Sequence, residues 1–441
     1  MFRRSALASA VALVAASACS GAPEPARFVP AQFESAARRA SASPIRHVVV
    51  VIQENRSFDD LFARFPGATG ARRGKRSDGR TVALKEVTLI GSDITHTHGS
   101  FETEYDGGKL DGFDKVLYGA DQTGTYPYQY VDPALIAEYW TLAREYVLAD
   151  HMFQTQGSGS YTAHQDLIAG GTAISSTESV IDDPSALPWG CDAPPGTVTS
   201  LIDSSGVEYP GAGPFPCFTR ATLRDLLDAK HVSWRYYTPN EPGGGDIWNA
   251  FDSVQQVREG PQWTKNVSTP ETNVLADAEK GRLPDVAWVV PDYWNSDHLG
   301  NKHDTGPSWV AGVVNAIGQS RAWNSTAIVV VWDDWGGLYD NVKPPQIRYD
   351  GLGFRVPCLI VSPYARKGYV DHTQYEFGSI LRFIEDNWSL GRLGTTDATA
   401  NSIADAFDFT QPPRAFVPLH ARYSRASLLR QGHSDEPVDR Q

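Results

Sequence analysis

Apolar positions along the chain change period repeatedly, and each change marks an element. Residues 46–52 read Arg-His-Val-Val-Val-Val-Ile, a β-branched run of the kind that fills the centre of a parallel sheet buried on both faces. It stops at Gln53-Glu54-Asn55-Arg56-Ser57, and Ser57 can cap a helix starting Phe58-Asp59-Asp60-Leu61-Phe62. Asp132-Pro133 predicts an amphipathic helix reaching about Val147, with Leu135, Ile136, Tyr139, Trp140 and Ala143 on one face. Residues 222–230 predict another helix and 232–237 a strand. Two buried strands at 286–290 and 327–331 enclose a helix over 308–317, and a strand at 356–362 precedes a helix over 375–387. This alternation predicts a doubly wound α/β domain over 45–425, with a mostly parallel central sheet and helices on both faces. Long loop insertions interrupt it, mainly at 65–130 and 173–220, and a polar tail occupies 426–441.

The N-terminus breaks the pattern. Met1-Phe2-Arg3-Arg4 is positive and residues 6–16 are apolar and small, too short to span a bilayer. Residues 1–19 read as an export signal of lipoprotein type, with Cys19 as the acylated residue and membrane anchor, and ordinary signal-peptidase cleavage as the alternative. Residues 20–44, rich in Ala, Pro, Ser and Arg, read as a flexible tether. An exported chain reaches an oxidising compartment, periplasmic, membrane-anchored or secreted, so the remaining cysteines predict one disulfide and one buried thiol. Cys191 and Cys217 lie in Pro/Gly-rich loops and form the natural pair, whereas Cys358 sits within a strand.

Composition narrows the function. Of 441 residues, 39 are Lys or Arg and 52 are Asp or Glu, a net charge of −13, the opposite of what a nucleic-acid binder needs. The 12 Trp, 18 Tyr and 18 Phe supply a large core and exclude disorder over most of the chain.

Candidate chemistry falls at strand ends, where α/β sheets place ligands. Glu54-Asn55 follows the first strand, and Asp333-Asp334 follows 327–331 after Trp332. Adjacent carboxylates at the end of a buried strand repel and lose solvation unless a cation neutralises them, which suggests one hard or borderline divalent metal ion. Taken alone, each pair also serves as a turn or cap, Asp333-Asp334 opening the turn at Gly336-Gly337. Gly157-Ser158-Gly159-Ser160 offers an exposed hydroxyl before the apolar stretch Leu167-Ile168-Ala169, and a serine beside a metal becomes a nucleophile. His96 and His98, like His298 and His303, lie in polar loops; taken singly they read as surface residues, while as pairs they could serve as ligands or proton donors.

The segment Glu54-Asn55-Arg56-Ser57-Phe58-Asp59 resembles the signature opening the bacterial phosphoesterase family of phosphatidylcholine-type phospholipases C and related acid phosphatases. The resemblance continues through Gly108-Lys109-Leu110-Asp111-Gly112-Phe113, Trp332-Asp333-Asp334-Trp335-Gly336-Gly337 and 354–365. It implies an alkaline-phosphatase-like fold, with Glu54, Asn55, Asp333 and Asp334 as metal ligands and Ser160 as the nucleophile that becomes phosphorylated. Ser160 follows from aligning Ser160-Tyr161-Thr162-Ala163-His164 with the family's nucleophile segment, and Ser158 is the alternative. His96 and His298 match family histidines that bind phosphoryl oxygens or protonate the leaving group, and His372 falls in a family segment without a defined role. The expected substrate is a phosphate ester. The Ser160-to-His164 segment and the short C-terminal region favour acid-phosphatase-like hydrolysis of monoesters first and phospholipase C-type cleavage second, with a non-catalytic phosphate- or lipid-binding lipoprotein as the alternative of another class.

Overall fold

The computed structural model describes residues 43–240 and 247–432. The export signal, Cys19, nearly all of the tether and the end of the polar tail lie outside the described residues. The strands of the main sheet are β1 (His47–Gln53), β2 (Val147–Ala149), β3 (Trp234–Tyr237), β4 (Val267–Ser268), β5 (Val286–Val289), β6 (Thr326–Trp332), β7 (Cys358–Val361) and β8 (Tyr369–Asp371). They form an eight-stranded sheet in the order β4-β3-β5-β1-β6-β7-β2-β8. The run from β4 to β6 is parallel, β7 is antiparallel to both of its neighbours, and β8 returns parallel to β2.

The continuous apolar runs occupy the middle of this sheet because helices cover it. Val48 to Ile52 and Ala327 to Trp332 have no exposed surface, and each such side chain contributes up to about 1.5–3 kcal/mol by burial. The helices that matter for the site are α1 (Phe58–Phe62), α2 (His98–Tyr105), α3 (Ala137–Glu145), α4 (Ser160–Ala169), α5 (Leu223–Ala229), α6 (Gly306–Gly318) and α7 (Phe377–Trp388). They pack in two groups, α3 with α6 and α4 with α7, as a doubly wound sheet requires. Ser57 caps α1 by accepting from the Asp60 N–H, and at the start of α5 the Asp225 carboxylate accepts from the Thr222 N–H at 2.9 Å.

The helix expected over 132–147 is shorter at both ends. Residues 132–136 form a turn closed by the Leu135 N–H on the Asp132 carbonyl, and Val147 is taken into β2, where pairing with β7 and β8 outweighs helical periodicity. The first insertion carries α2 and small two-stranded pairings. The second is an antiparallel three-stranded sheet, Glu178–Ile181, Ser200–Asp203 and Glu208–Tyr209, beside which the Cys191–Cys217 disulfide closes a span of 26 residues. Cys358 is a free, buried thiol pushed above its ordinary pKa by burial. Among the described residues no helix is long and apolar enough to cross a membrane.

Candidate active site

Strand register creates the site. β1 and β6 pair in parallel from His47↔Thr326 to Gln53↔Trp332, and the Asp333 N–H continues the ladder onto the Gln53 carbonyl at 2.9 Å. Two acidic strand ends far apart in sequence therefore leave the sheet side by side, at the carboxyl edge where α/β folds hold ligands. Glu54, Asn55, Asp333 and Asp334 are all fully buried.

Backbone geometry turns these side chains towards one another. Asn55 adopts φ 53°, a left-handed conformation that Asn tolerates better than most residues, and its N–H donates to Asp333 Oδ1 at 2.9 Å. The opposite turn closes on it through Gly336, at φ +62°, where a Cβ would lie 2.4 Å from the Asn55 carbonyl oxygen. The Gly336 N–H in turn donates to Asp334 Oδ1 at 2.7 Å. Asp333-Asp334 thus opens the turn at Gly336-Gly337 while one oxygen of Asp333 faces Asn55.

Ser160 is the first residue of α4, so its hydroxyl sits at a helix N-terminus that favours negative charge. Its Oγ donates to Asp334 Oδ2 at 3.1 Å. Asn55 Nδ2 lies 2.7 Å from His96 Nε2, 3.3 Å from Ser160 Oγ and 3.4 Å from Asp334 Oδ2, so one amide faces three candidate groups. The hydroxyl expected to be exposed is instead buried, Ser160 being 1% accessible, because the two insertions and the α4–α7 pair cover the strand ends. Ser158 points elsewhere: its Oγ accepts from the Asp182 N–H at 2.8 Å and lies 3.3 Å from the Asp182 carboxylate.

His96 and His298 are buried as well, contrary to their single-residue reading as surface. The His96 Nδ1–H donates to the Ile94 carbonyl at 2.7 Å, which leaves Nε2 to accept from Asn55. His298 Nδ1 is held by the Leu299 carbonyl, and its ring lies 6.1 Å from that of His96. His98 instead donates to the Gly157 carbonyl, and His303 stacks on Trp294 outside the cluster.

Two participants escaped the sequence reading. His164 stands one turn after Ser160 on α4, with Nε2 3.1 Å from Glu54 Oε1 and 3.8 Å from Asp333 Oδ2. The four-residue spacing could have revealed it once the helix was known to start at Ser160. Trp248, buried between the rings of His164 and His298 at 6.4 and 5.9 Å, carries no local signal at all.

The donor set suits a divalent cation. Glu54, His164 and Asp333 present ligand atoms within 4.8 Å of one another. Asp333 Oδ2 is buried without a hydrogen-bond partner, a costly arrangement for a carboxylate that a cation would relieve. Asp334 and Asn55 complete an oxygen-rich group of the type divalent ions select.

A buried frame holds the three site loops together. The Asp297 N–H donates to Gln53 Oε1 at 2.9 Å, Arg56 Nε donates to the Asp297 carbonyl at 2.7 Å, and Tyr139 Oη and Trp332 Nε1 donate to Asp297 Oδ2 at 2.8 and 3.1 Å. Burial raises the Asp297 carboxyl to about 6, against the opposing pull of Arg56.

Known proteins resemble this chain over most of its length. The phosphoesterase family model matches residues 45–391. Phospholipase C B of Mycobacterium tuberculosis is 24% identical over 443 residues, covering 85% of this chain and 80% of that protein. Non-specific phospholipase C6 of Arabidopsis thaliana is 24% identical, covering 86% and 75%. Among solved structures, a protein in the alkaline phosphatase superfamily from Vibrio parahaemolyticus aligns at 10% identity with a TM-score of 0.39, over 83% of this chain and 73% of that one.

Proposed function

The chain belongs to the phosphoesterase family and is a hydrolase of phosphoric ester bonds, and from that premise we propose that it cleaves phospholipid phosphodiesters in the manner of a phospholipase C, through a phosphoryl-serine on Ser160. The observation that carries the mechanism is the Ser160 hydroxyl held 3.1 Å from Asp334 and 3.3 Å from Asn55 beside buried carboxylates. The substrate rests on the relatives, which are named phospholipases C, and on that support the diester is ranked here ahead of the monoester. Monoester hydrolysis stays as the second reading, supported by Ser160 with Ala163 and His164 at the nucleophile segment. Family membership sets the non-catalytic lipoprotein aside.

Glu54, Asn55, Asp333 and Asp334 would hold one divalent metal ion, joined by His164. Bound there, the ion supplies positive charge that lowers the serine pKa and offsets charge on the phosphoryl group. Ser160 Oγ attacks phosphorus as its proton passes to the Asp334 side, and the bond to the leaving alcohol breaks. That alcohol takes its proton from Nε2 of His96 or His298 in the protonated form, the neutral His96 having Nε2 as an acceptor from Asn55. Water then attacks the phosphoryl-serine and gives one proton back to the histidine, while the proton held on the Asp334 side returns to Ser160 Oγ as the phosphorus–oxygen bond breaks and the phosphate product leaves. Asn55 Nδ2 steadies both nucleophile and phosphoryl oxygens, while Trp248 keeps the His164 and His298 rings apart and water out.

The N-terminal segment and the disulfide support an exported protein, either anchored through Cys19 or released. Activity of the purified chain on an aryl phosphorylcholine and an aryl phosphate, with metal content measured, tests the substrate reading. A preference for the phosphorylcholine ester is expected; a preference for the monoester would move the second reading to first place.

A further inference from the structure

His372, which the mechanism leaves unused, belongs to a second cluster. Asp150 follows β2 and His372 follows β8, and these parallel strands pair Ala149↔Asp371. The Asp150 N–H continues the ladder onto the Asp371 carbonyl at 3.0 Å, so the sheet itself fixes both residues. His151 is anchored by the Tyr375 N–H, which donates to its carbonyl at 2.8 Å. His151 Nδ1 lies 2.7 Å from Asp150 Oδ1, and His372 Nδ1 lies 2.9 Å from both carboxylate oxygens.

We propose that Asp150, His151 and His372 form a transition-metal site of the zinc class, separate from the candidate active site. Two imidazoles and one carboxylate are the ligand types zinc selects, commonly three from protein with water completing the shell. The three residues offer ligand atoms within 4.8 Å of one another. Bond lengths near 2.0–2.2 Å place tetrahedral ligands roughly 3.3–3.5 Å apart, so the present contacts need to open by only about half an ångström. The histidines have that freedom, being 23% and 56% exposed, whereas Asp150 is fully buried and fixed. Exposure of His372 leaves an entry path and room for water.

The charge environment agrees. The Asp150 carboxylate also accepts from the Thr69 N–H at 2.8 Å, a hydrogen bond that does not depend on the two histidines. Arg355 donates to the Asp150 carbonyl at 2.8 Å, and its charge is already met by Asp340 at 2.9 Å. On binding, each imidazole presents its Nδ1 lone pair. A neutral ring moves its proton to Nε2, and a protonated ring releases one proton to solvent. The site lies two to three strand spacings from β6, roughly 10–14 Å across the sheet, and would staple β2 to the edge strand β8.

Zinc equivalents retained after chelator stripping, reloading and dialysis test this in the full chain. Wild type is expected to hold about one equivalent more than H151A/H372A, with activity on a soluble ester changed less than about twofold. Equal zinc in the two proteins would overturn the proposal. Should the double variant fail to fold, H372Q serves, with binding at least about tenfold weaker expected and unchanged binding counting against the site. In wild type alone, zinc should protect His151 and His372 from diethyl pyrocarbonate, read by mass spectrometry; full modification of both in saturating zinc would also overturn it.

Discussion

Replacing Ser160 by Ala separates a structural from a catalytic hydroxyl. In the fold, Ser160 Oγ makes one hydrogen bond to a carboxylate, Asp334 Oδ2 at 3.1 Å, while the other oxygen of Asp334 keeps the Gly336 N–H at 2.7 Å. A hydrogen bond to a charged group contributes about 1.5–3 kcal/mol at most, and relief of the buried carboxylates by metal reduces that, so a loss of about 1–2 kcal/mol is expected. With an unfolding entropy near 2.1 cal/mol/K per residue over roughly 400 residues, that moves Tm by only about 2 °C. The transition state loses far more: without the nucleophile the covalent route closes, and a fall in kcat/KM of at least ~1,000-fold, about 4 kcal/mol, is expected. Kinetics on an aryl phosphorylcholine, together with Tm and metal content, read both quantities. S158A is the control and should lose less than about fivefold, since its hydroxyl is engaged by Asp182. A loss under about tenfold in S160A with metal retained, or the large loss appearing in S158A, would refute the assignment.

G336A should lower metal content and activity together, because its Cβ would strike the Asn55 carbonyl oxygen at 2.4 Å; parallel metal titration and kinetics check this. Chelation should abolish activity and lower Tm, with both restored by a divalent ion, since Asp333 Oδ2 is otherwise left buried without a hydrogen-bond partner. C191S/C217S frees a span of 26 residues and should cost about 3.5 kcal/mol on the chain-entropy relation, or about 4 °C in Tm, measured by calorimetry. Burial and, secondarily, Asp292 raise Glu271 to about 8 from 4.5. The folded state therefore binds more protons than the unfolded one between those values, and stability falls as pH rises through them. E271Q should remove that decline, with a gain of order 3 kcal/mol at pH 7, read from denaturant titrations at several pH values; a parallel decline in both proteins would contradict it.

The sequence by itself determined the local elements and much of the chemistry they carry. Five consecutive apolar residues, Val48 to Ile52, can only be satisfied by burial on both faces, so a central strand was legible without any knowledge of its neighbours. The same holds for α1 behind its Ser57 cap, for the Cys191–Cys217 pair between Pro/Gly-rich loops, and for the acidic ends of β1 and β6. Tertiary structure decided what could not be local. The pairing Gln53↔Trp332 joins residues separated by most of the chain, and only that register turns two ordinary acidic turns into one cluster. Burial of His96 and His298, the capture of Val147 by β2, the recruitment of Trp248 and the meeting of Asp150 with His372 follow from how insertions and edge strands cover the sheet. Periodicity records a residue's preference for a face of its own element, whereas these contacts depend on competition among distant segments for the same buried surface.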